Sequence, residues 1–371
     1  MIDTVKLINF FKKKIDYFVG VPDSILKNFS NHLENSKEKK HIVSTNEGSA
    51  VAFAIGRHLA KKKISLVYMQ NSGLGNAINP LISIAHKKVY SIPMVILIGW
   101  RGADGTTDEV QHNLKGRITK NILDHLQIKS CVAKDNKDIK KISKLINYSK
   151  NKNQPVAILI KKNVLSAVKK IKNINKVEKN FYSIKRADFL KILLENLKKE
   201  DKIISSTGYI SRELNQLRKY KKYAGRDFYM VGGMGHASMV SLGASMSSIN
   251  KVLCLDGDGS LLMHLGSLSL VGYLSNKNLK YILLNNFSHE SVGGQPCVSE
   301  KINFKLLSKS MGFKNYMLVN NKKNLNKKIS QILKMKKNIF ANIIIKKGSI
   351  PNLSRPRNLY KIKKEFMENF K

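Results

Sequence analysis

Short apolar runs alternate with longer segments of mixed polarity along nearly the whole chain. In the first part, residues 42–44, 64–69, 94–98 and 156–160 read as strands, and 49–61 and 76–86 read as helices. In the second part, 203–205, 229–231, 252–255, 281–284 and 342–345 read as strands. The segment 261–274 between two of them reads as one helix. Strands alternating with helical segments predict a parallel sheet covered on both faces. Between the two alternations, residues 166–186 turn lysine-rich and lose their pattern, as a linker does. The expected organisation is therefore α/β, with two doubly wound parallel-sheet domains at 1–165 and 187–371 and no room for a domain between them. Residues 351–371 read as a loop with a short final helix.

Length and composition add little to this and exclude some alternatives. The 371 residues are enough for two ordinary domains. No apolar run approaches the ~20 residues that span a bilayer, and the N-terminus lacks a signal-peptide pattern. Three scattered cysteines, Cys131, Cys254 and Cys297, have no metal-ligand spacing and point to a reducing cytoplasm. The formal charge of +42 raises the alternative of a basic nucleic-acid-binding protein with a vestigial enzyme fold. The lysines are spread along the chain, however, in runs such as Lys12-Lys13-Lys14, Lys61-Lys62-Lys63 and Lys221-Lys222 that suit solvated faces. No zinc-finger, RRM or KH signature accompanies them. The expectation is no nucleic acid and no membrane, with the charge attracting an anionic substrate at long range.

The densest chemistry lies in Leu255-Asp256-Gly257-Asp258-Gly259-Ser260 and Leu283-Leu284-Asn285-Asn286. Each follows a predicted strand, so an acid and an amide stand at the carboxyl ends of neighbouring strands, where ligands bind in such sheets. Asp258 offers a hard anionic oxygen and Asn286 a neutral one. That pair suits Mg²⁺, which completes its octahedron with phosphates and water, and the glycines allow a diphosphate to approach the backbone. Gly-Asp-Gly alone is equally the mark of a turn between buried strands. The Asn46-Glu47-Gly48-Ser49 segment places Glu47 at a strand-to-helix junction, where taken alone it is a helix-start glutamate favoured by the macrodipole.

The two segments together resemble the GDG…NN motif of thiamine-diphosphate enzymes. The resemblance implies that Asp258, Asn286 and the carbonyl of Ser288 hold Mg²⁺. Thr207, Gly208, Gly232, Met234, Gly257, Gly259 and Ser260 would complete the diphosphate-side cofactor set, with Met234 propping the cofactor into its bent form. Glu47 would hydrogen-bond N1′ of the aminopyrimidine and favour the tautomer that removes the C2 proton. Residues 1–165 become the pyrimidine-binding domain and 187–371 the diphosphate-binding domain.

Further segments narrow the resemblance. They are Gly20-Val21-Pro22-Asp23-Ser24, Gln70-Asn71-Ser72-Gly73-Leu74-Gly75-Asn76, Gly99-Trp100-Arg101-Gly102, Asp108-Glu109-Val110-Gln111-His112 and His289-Glu290-Ser291-Val292-Gly293-Gly294-Gln295. Over nearly the whole chain these are similar to the phosphonopyruvate and sulfopyruvate decarboxylases. Val110 stands where that family usually has Pro, and Ser354 where Gly is usual. The resemblance implies decarboxylation of 3-phosphonopyruvate to phosphonoacetaldehyde and CO₂ in phosphonate (2-aminoethylphosphonate-type) biosynthesis, with sulfopyruvate as the alternative substrate. It also implies a homodimer or higher homo-oligomer with active sites between chains. His112 and Asp23 are the candidates for proton relay beside Glu47. Ser24, Arg101, His236 and His289 are the candidate substrate residues. Arg101 is a fork for phosphonate or carboxylate, or else half of a structural ion pair.

Overall fold

The computed structural model describes residues 1–168, 182–221, 223, 225–368 and 370. Of the expected linker, 169–181 lie outside the described residues, as do Lys222 of the paired-lysine run and Lys371 at the end of the second expected domain. The described residues divide into two compact units. One holds 1–168 with Val292–Gln295, and the other holds 182–291 with the residues from Pro296 onward.

The first unit is a six-stranded, all-parallel sheet. Its strands are β1 (Phe18–Gly20), β2 (His41–Val43), β3 (Leu66–Gln70), β4 (Val95–Gly99), β5 (Lys129–Ala133) and β6 (Val156–Ile160), in the order β2-β1-β3-β4-β6-β5. Central strands such as β4 and β6 are buried at every position, which is why they read as unbroken apolar runs. Val95 and Leu97 pack into one core and Ile96 and Ile98 into the other, one core on each face. The chain reverses direction of winding between β1 and β3, so their carboxyl ends open a crevice suited to a ligand.

The second unit repeats the plan with β7 (Lys202–Ser205), β8 (Asp227–Tyr229), β9 (Val252–Gly257), β10 (Leu279–Asn285), β11 (Asn315–Val319) and β12 (Ile339–Ile344). The order is β11-β12-β10-β9-β7-β8, again parallel throughout. Its switch point lies between β7 and β9. Two cores again flank the sheet.

The α/β class and the two parallel sheets match expectation, with differences of detail. Strands β1, β5 and β11 were not legible: β1 is three residues long, and β5 and β11 are half-exposed strands at the sheet edges. Strand β8 ends at Tyr229, because the residues after it leave the sheet for a glycine-rich loop. The expected helix at 261–274 is two helices, Asp258–Met263 and Ser267–Leu274, broken where His264 leaves helical geometry (φ −132°, ψ 51°). The expected helix at 76–86 is Leu74–Pro80 followed by a π-helical turn, Leu81–Ala85. Among the described residues no helix is long and apolar enough to cross a membrane.

Candidate active site

In the first unit, Glu47 opens the helix Glu47–Lys61, whose N-cap Asn46 accepts from the Ser49 amide at 2.8 Å. The helix is anchored by Ala50, Val51, Ala54 and Ile55 on the sheet. Glu47 is 5% exposed, and its Oε2 accepts from Asn76 Nδ2 at 2.7 Å. A β-carbon on Gly73 would lie 2.5 Å from the Glu47 carboxyl carbon, so only glycine leaves room for this side chain. Desolvation raises the Glu47 pKa, and the Asn76 hydrogen bond opposes that rise. The carboxyl is thus held by Asn76 and its own backbone amide in a dry setting, suited to sharing a proton with a ring nitrogen.

A second polar cluster of this unit sits at the ends of β1, β3 and β4. Asp23 is fully buried, accepting from Gln70 Nε2 at 2.6 Å and from the Ile25 and Leu26 amides at 3.0 and 3.1 Å. Burial raises its pKa. Ser72 donates to Gln70 Oε1 at 2.9 Å and so fixes which end of the amide faces Asp23. The side chain of Arg101 is taken by Asp108: Nε donates at 2.7 Å, Nη2 donates to the other oxygen, and Nη1 reaches Ser24 Oγ at 3.0 Å. The Arg101 guanidinium holds the Asp108 carboxyl well below the usual carboxylate range. Of the two readings of Arg101, this geometry displays the ion pair.

The Gly-Trp-Arg-Gly motif then has a local explanation. Gly99 makes room for the Asp23 carboxyl, and Trp100 Nε1 donates to the Gly116 carbonyl at 2.8 Å. Gly102, at φ +65°, abuts the backbone of His112 and Gly116 in the helix Val110–His125. Asn71 binds both the amide and the carbonyl of Arg101, at 3.1 and 2.9 Å. His112 is 8% exposed at the start of that helix. Val110 occupies the helix's first position, where proline is equally well suited.

In the second unit, the register pairs Gly257 of β9 with Leu284 of β10, so Asp258 and Asn286 both lie just beyond the paired strand ends. Asp258 is 3% exposed. Ser299 Oγ donates to Asp258 Oδ2 at 2.7 Å. No cationic side chain pairs with Asp258 among the described residues. Desolvation raises its pKa. Asn285 and Asn286 accept from the amides of Phe287 and Ser288, both at 3.2 Å, through a turn in which Phe287 has φ +57°. Ser288 Oγ and Asn285 Nδ2 are buried without a hydrogen-bond partner among the described residues.

The loop after β8 lies over this site. The Gly235 amide donates to Ser260 Oγ at 3.1 Å, and a β-carbon on Gly259 would lie 3.6 Å from the Met234 methyl and 2.7 Å from the His289 ring. Gly208, at φ +99°, faces Ser291, with Thr207 beside it at the end of β7. Gly232 has open space where a side chain would be. Burial pushes the His289 pKa down to about 4, so this imidazole is neutral at neutral pH. His236 stacks on His264 at 4.4 Å. The expected site residues thus fall into two constellations, one in each unit. Sequence reasoning missed Asn76, Gln70, Asp108, Ser299 and Glu290, each a hydrogen-bond partner of a candidate. All but Ser299 lie within the motifs already quoted, which was the available signal.

Residues 7–127 match the thiamine pyrophosphate enzyme N-terminal TPP binding domain, and residues 206–344 match the corresponding C-terminal TPP binding domain. The phosphonopyruvate decarboxylase of Streptomyces viridochromogenes is 31% identical over 351 residues, which are 91% of this chain and 87% of that protein. The chain belongs to the thiamine pyrophosphate enzymes, in their phosphonopyruvate decarboxylase branch. The sulfopyruvate decarboxylase of Methanosarcina acetivorans is 27% identical over 98% of this chain and 96% of its own length. A sulfopyruvate decarboxylase beta subunit of Methanocaldococcus jannaschii is 40% identical over 34% of this chain and 66% of its own. This family member is therefore a thiamine-diphosphate-dependent decarboxylase acting on a small 2-oxo acid.

The residues present fit the diphosphate and a divalent cation. A buried carboxylate without a cation is costly, and Asp258 is one. Among the described residues no three His, Cys, Asp or Glu side chains form a metal cluster. The strand register instead brings one carboxylate, Asp258, and one neutral amide, Asn286, to neighbouring strand ends, a donor pair that suits Mg²⁺ when phosphates supply the rest.

Proposed function

We propose that this protein decarboxylates 3-phosphonopyruvate to phosphonoacetaldehyde and CO₂, with Mg²⁺ held by Asp258, Asn286 and the Ser288 carbonyl. The observation that carries the site assignment is the buried Asp258, with no cationic side chain paired to it among the described residues, near Asn286 and under Met234 over Gly259. Similarity to a phosphonopyruvate decarboxylase over nearly the full length supports the substrate. When bound, thiamine diphosphate supplies the electron sink for the pair released as CO₂ leaves.

The chain's own residues do the rest. Glu47, its pKa raised by burial, would hold a proton toward N1′ of the aminopyrimidine. Thr207, Gly208, Gly257, Gly259 and Ser260 would line the diphosphate, and the Gly232 carbonyl would hold the 4′-amino group. One proton must reach the carbon that carried CO₂. Asp23, which keeps its proton to higher pH than an ordinary carboxyl, and His112 are the residues assigned to supply it. Ser24, His236 and His289 contact the substrate. His289 does so as a neutral donor or acceptor. Arg101 acts as a brace, its charge balanced by Asp108 and its Nη1 holding the Ser24 hydroxyl. The same proposal includes a homo-oligomer in a cytoplasmic setting, feeding phosphonate biosynthesis.

A second reading, sulfopyruvate decarboxylation, is favoured by the beta-subunit similarity, which is higher in identity but confined to about a third of the chain. Release of CO₂ from phosphonopyruvate, sulfopyruvate and pyruvate, assayed in parallel with thiamine diphosphate and Mg²⁺, separates the readings. The expected result is fastest release from phosphonopyruvate. Faster release from sulfopyruvate establishes the second reading.

A further inference from the structure

Beyond the cofactor residues, the second unit contains a buried ionic chain that ends on Asn286. Arg186 is 3% exposed at the start of the helix Arg186–Glu195. Its Nη2 donates to Glu290 Oε2 at 2.7 Å and to the Gly348 carbonyl at 3.0 Å. On its other side, Nε lies 3.9 Å from the buried Glu213. The same Glu290 oxygen accepts from Asn286 Nδ2 at 3.0 Å, and the other Glu290 oxygen accepts from the Gly348 amide. Glu213 accepts from the Ile350 amide at 3.0 Å.

An asparagine amide has a donor end and an acceptor end, and at a metal site only the acceptor end is useful. A carboxylate only accepts. Glu290 therefore holds the nitrogen of the Asn286 amide toward itself, and the Ser288 amide, donating to Oδ1 at 3.2 Å, favours the same orientation. Arg186 and the Gly348 amide, each donating to Glu290, fix where its two oxygens point. We propose that Glu290 is a positioning residue that presents Asn286 Oδ1 to the divalent cation. This rests on the reading of Asn286 as a metal ligand. Outer partners of this kind typically contribute tenfold to a hundredfold in metal affinity.

The test uses full-length protein saturated with thiamine diphosphate and titrated with Mn²⁺, with free Mn²⁺ followed by electron paramagnetic resonance. Glu290→Gln should bind Mn²⁺ about tenfold more weakly, since a glutamine can offer the Asn286 amide a donor as well as an acceptor and removes the nearer of the two carboxylates beside Arg186. Asn286→Asp should also bind more weakly, because a carboxylate then faces Glu290. Combining Asn286→Asp with Glu290→Gln should give tighter binding than either single change, since a carboxylate presents oxygen whichever way it turns and glutamine can donate to it. A residue that only anchored the segment after β12 would show no such rescue. Unchanged Mn²⁺ affinity in Glu290→Gln, or a double variant no tighter than the singles, overturns the proposal. If Glu290→Gln does not unfold cooperatively on heating, Asn286→Asp decides alone: affinity at or above wild type overturns it. Asn286→Ala separates the two levels, because wild-type affinity there sinks the metal assignment itself.

Discussion

At the residue scale, Asp258 shows a functional group held at a cost to the metal-free protein. Its carboxyl is buried, with Ser299 donating and no cation beside it among the described residues. Burial raises its pKa above the ordinary value. A carboxyl whose folded pKa exceeds its unfolded one binds the proton more tightly when folded. The stability it contributes is present below the unfolded pKa of about 4 and is lost as pH rises through the folded value. Asp258→Asn removes that ionisation. In EDTA at neutral pH the variant should therefore be more stable than wild type, by ~1–3 kcal/mol. The difference should shrink toward zero as pH falls below the folded pKa. With Mg²⁺ and thiamine diphosphate added, the order should reverse, because only wild type keeps the carboxylate ligand. Chemical unfolding monitored at several pH values, with and without metal, checks both signs. Equal stability of the two proteins in EDTA at neutral pH would contradict the account. Asp258 and Asn286 were legible as candidates in sequence because two short motifs at a set spacing single them out. Glu290 was not, since its role depends on Arg186, 104 positions away, being folded against it.

At the element scale, the quoted motifs are tight turns whose residues serve one another. The segment after β3 is the clearest case. Gln70 binds Asp23, Ser72 orients Gln70, Gly73 yields space to Glu47, and Asn76 donates to Glu47. Apolar alternation found the central strands because burial on both faces leaves an unmistakable run. It did not find β1, which is too short for a period, or the edge strands β5 and β11, whose polarity follows half-exposure. The break at His264 was hidden because its cause is tertiary: its ring stacks on His236 and sits where a side chain on Gly235 would go. Glycine positions allow the turn at Gly73 to be probed directly. Gly73→Ala puts a methyl group against the Glu47 carboxyl, which must move. Turnover should fall at least tenfold at saturating substrate, and Glu47→Gln should fall further, by ~10²–10⁴. Both should retain Mg²⁺-dependent cofactor binding, since Asp258 and Asn286 are untouched. Adding Gly73→Ala to Glu47→Gln should cost little more, because the methyl group acts through Glu47. Full additivity in kcat would show that Gly73 acts by another route.

At the scale of the whole molecule, the two units divide the proposed cofactor residues between them. Glu47 and its Asn76 partner belong to the first unit, and Asp258, Asn286 and Met234 belong to the second. The family resemblance assigns each complete site to two chains, and the first unit carries a surface consistent with association. The helix Val110–His125 exposes Val110, Leu114 and Ile118, three apolar side chains at four-residue spacing and hence on one face. At a formal charge of +42, two chains repel at long range, so an apolar stripe left on the surface is more telling than it would be on a neutral protein. Sedimentation at assay concentration should therefore show a dimer or larger species, strengthened by salt, which screens the repulsion. Leu114→Glu should shift it toward monomer. Chain sharing makes a sharper demand. Glu47→Gln and Asp258→Ala chains should each be nearly inactive alone. When the two are unfolded together and refolded as a mixture, a mixed dimer has one site with both defects and one with neither. Random pairing makes half of the dimers mixed, each with one of two sites intact, so about a quarter of wild-type activity should return. Activity no greater than the sum of the separate variants would place each complete site within a single chain.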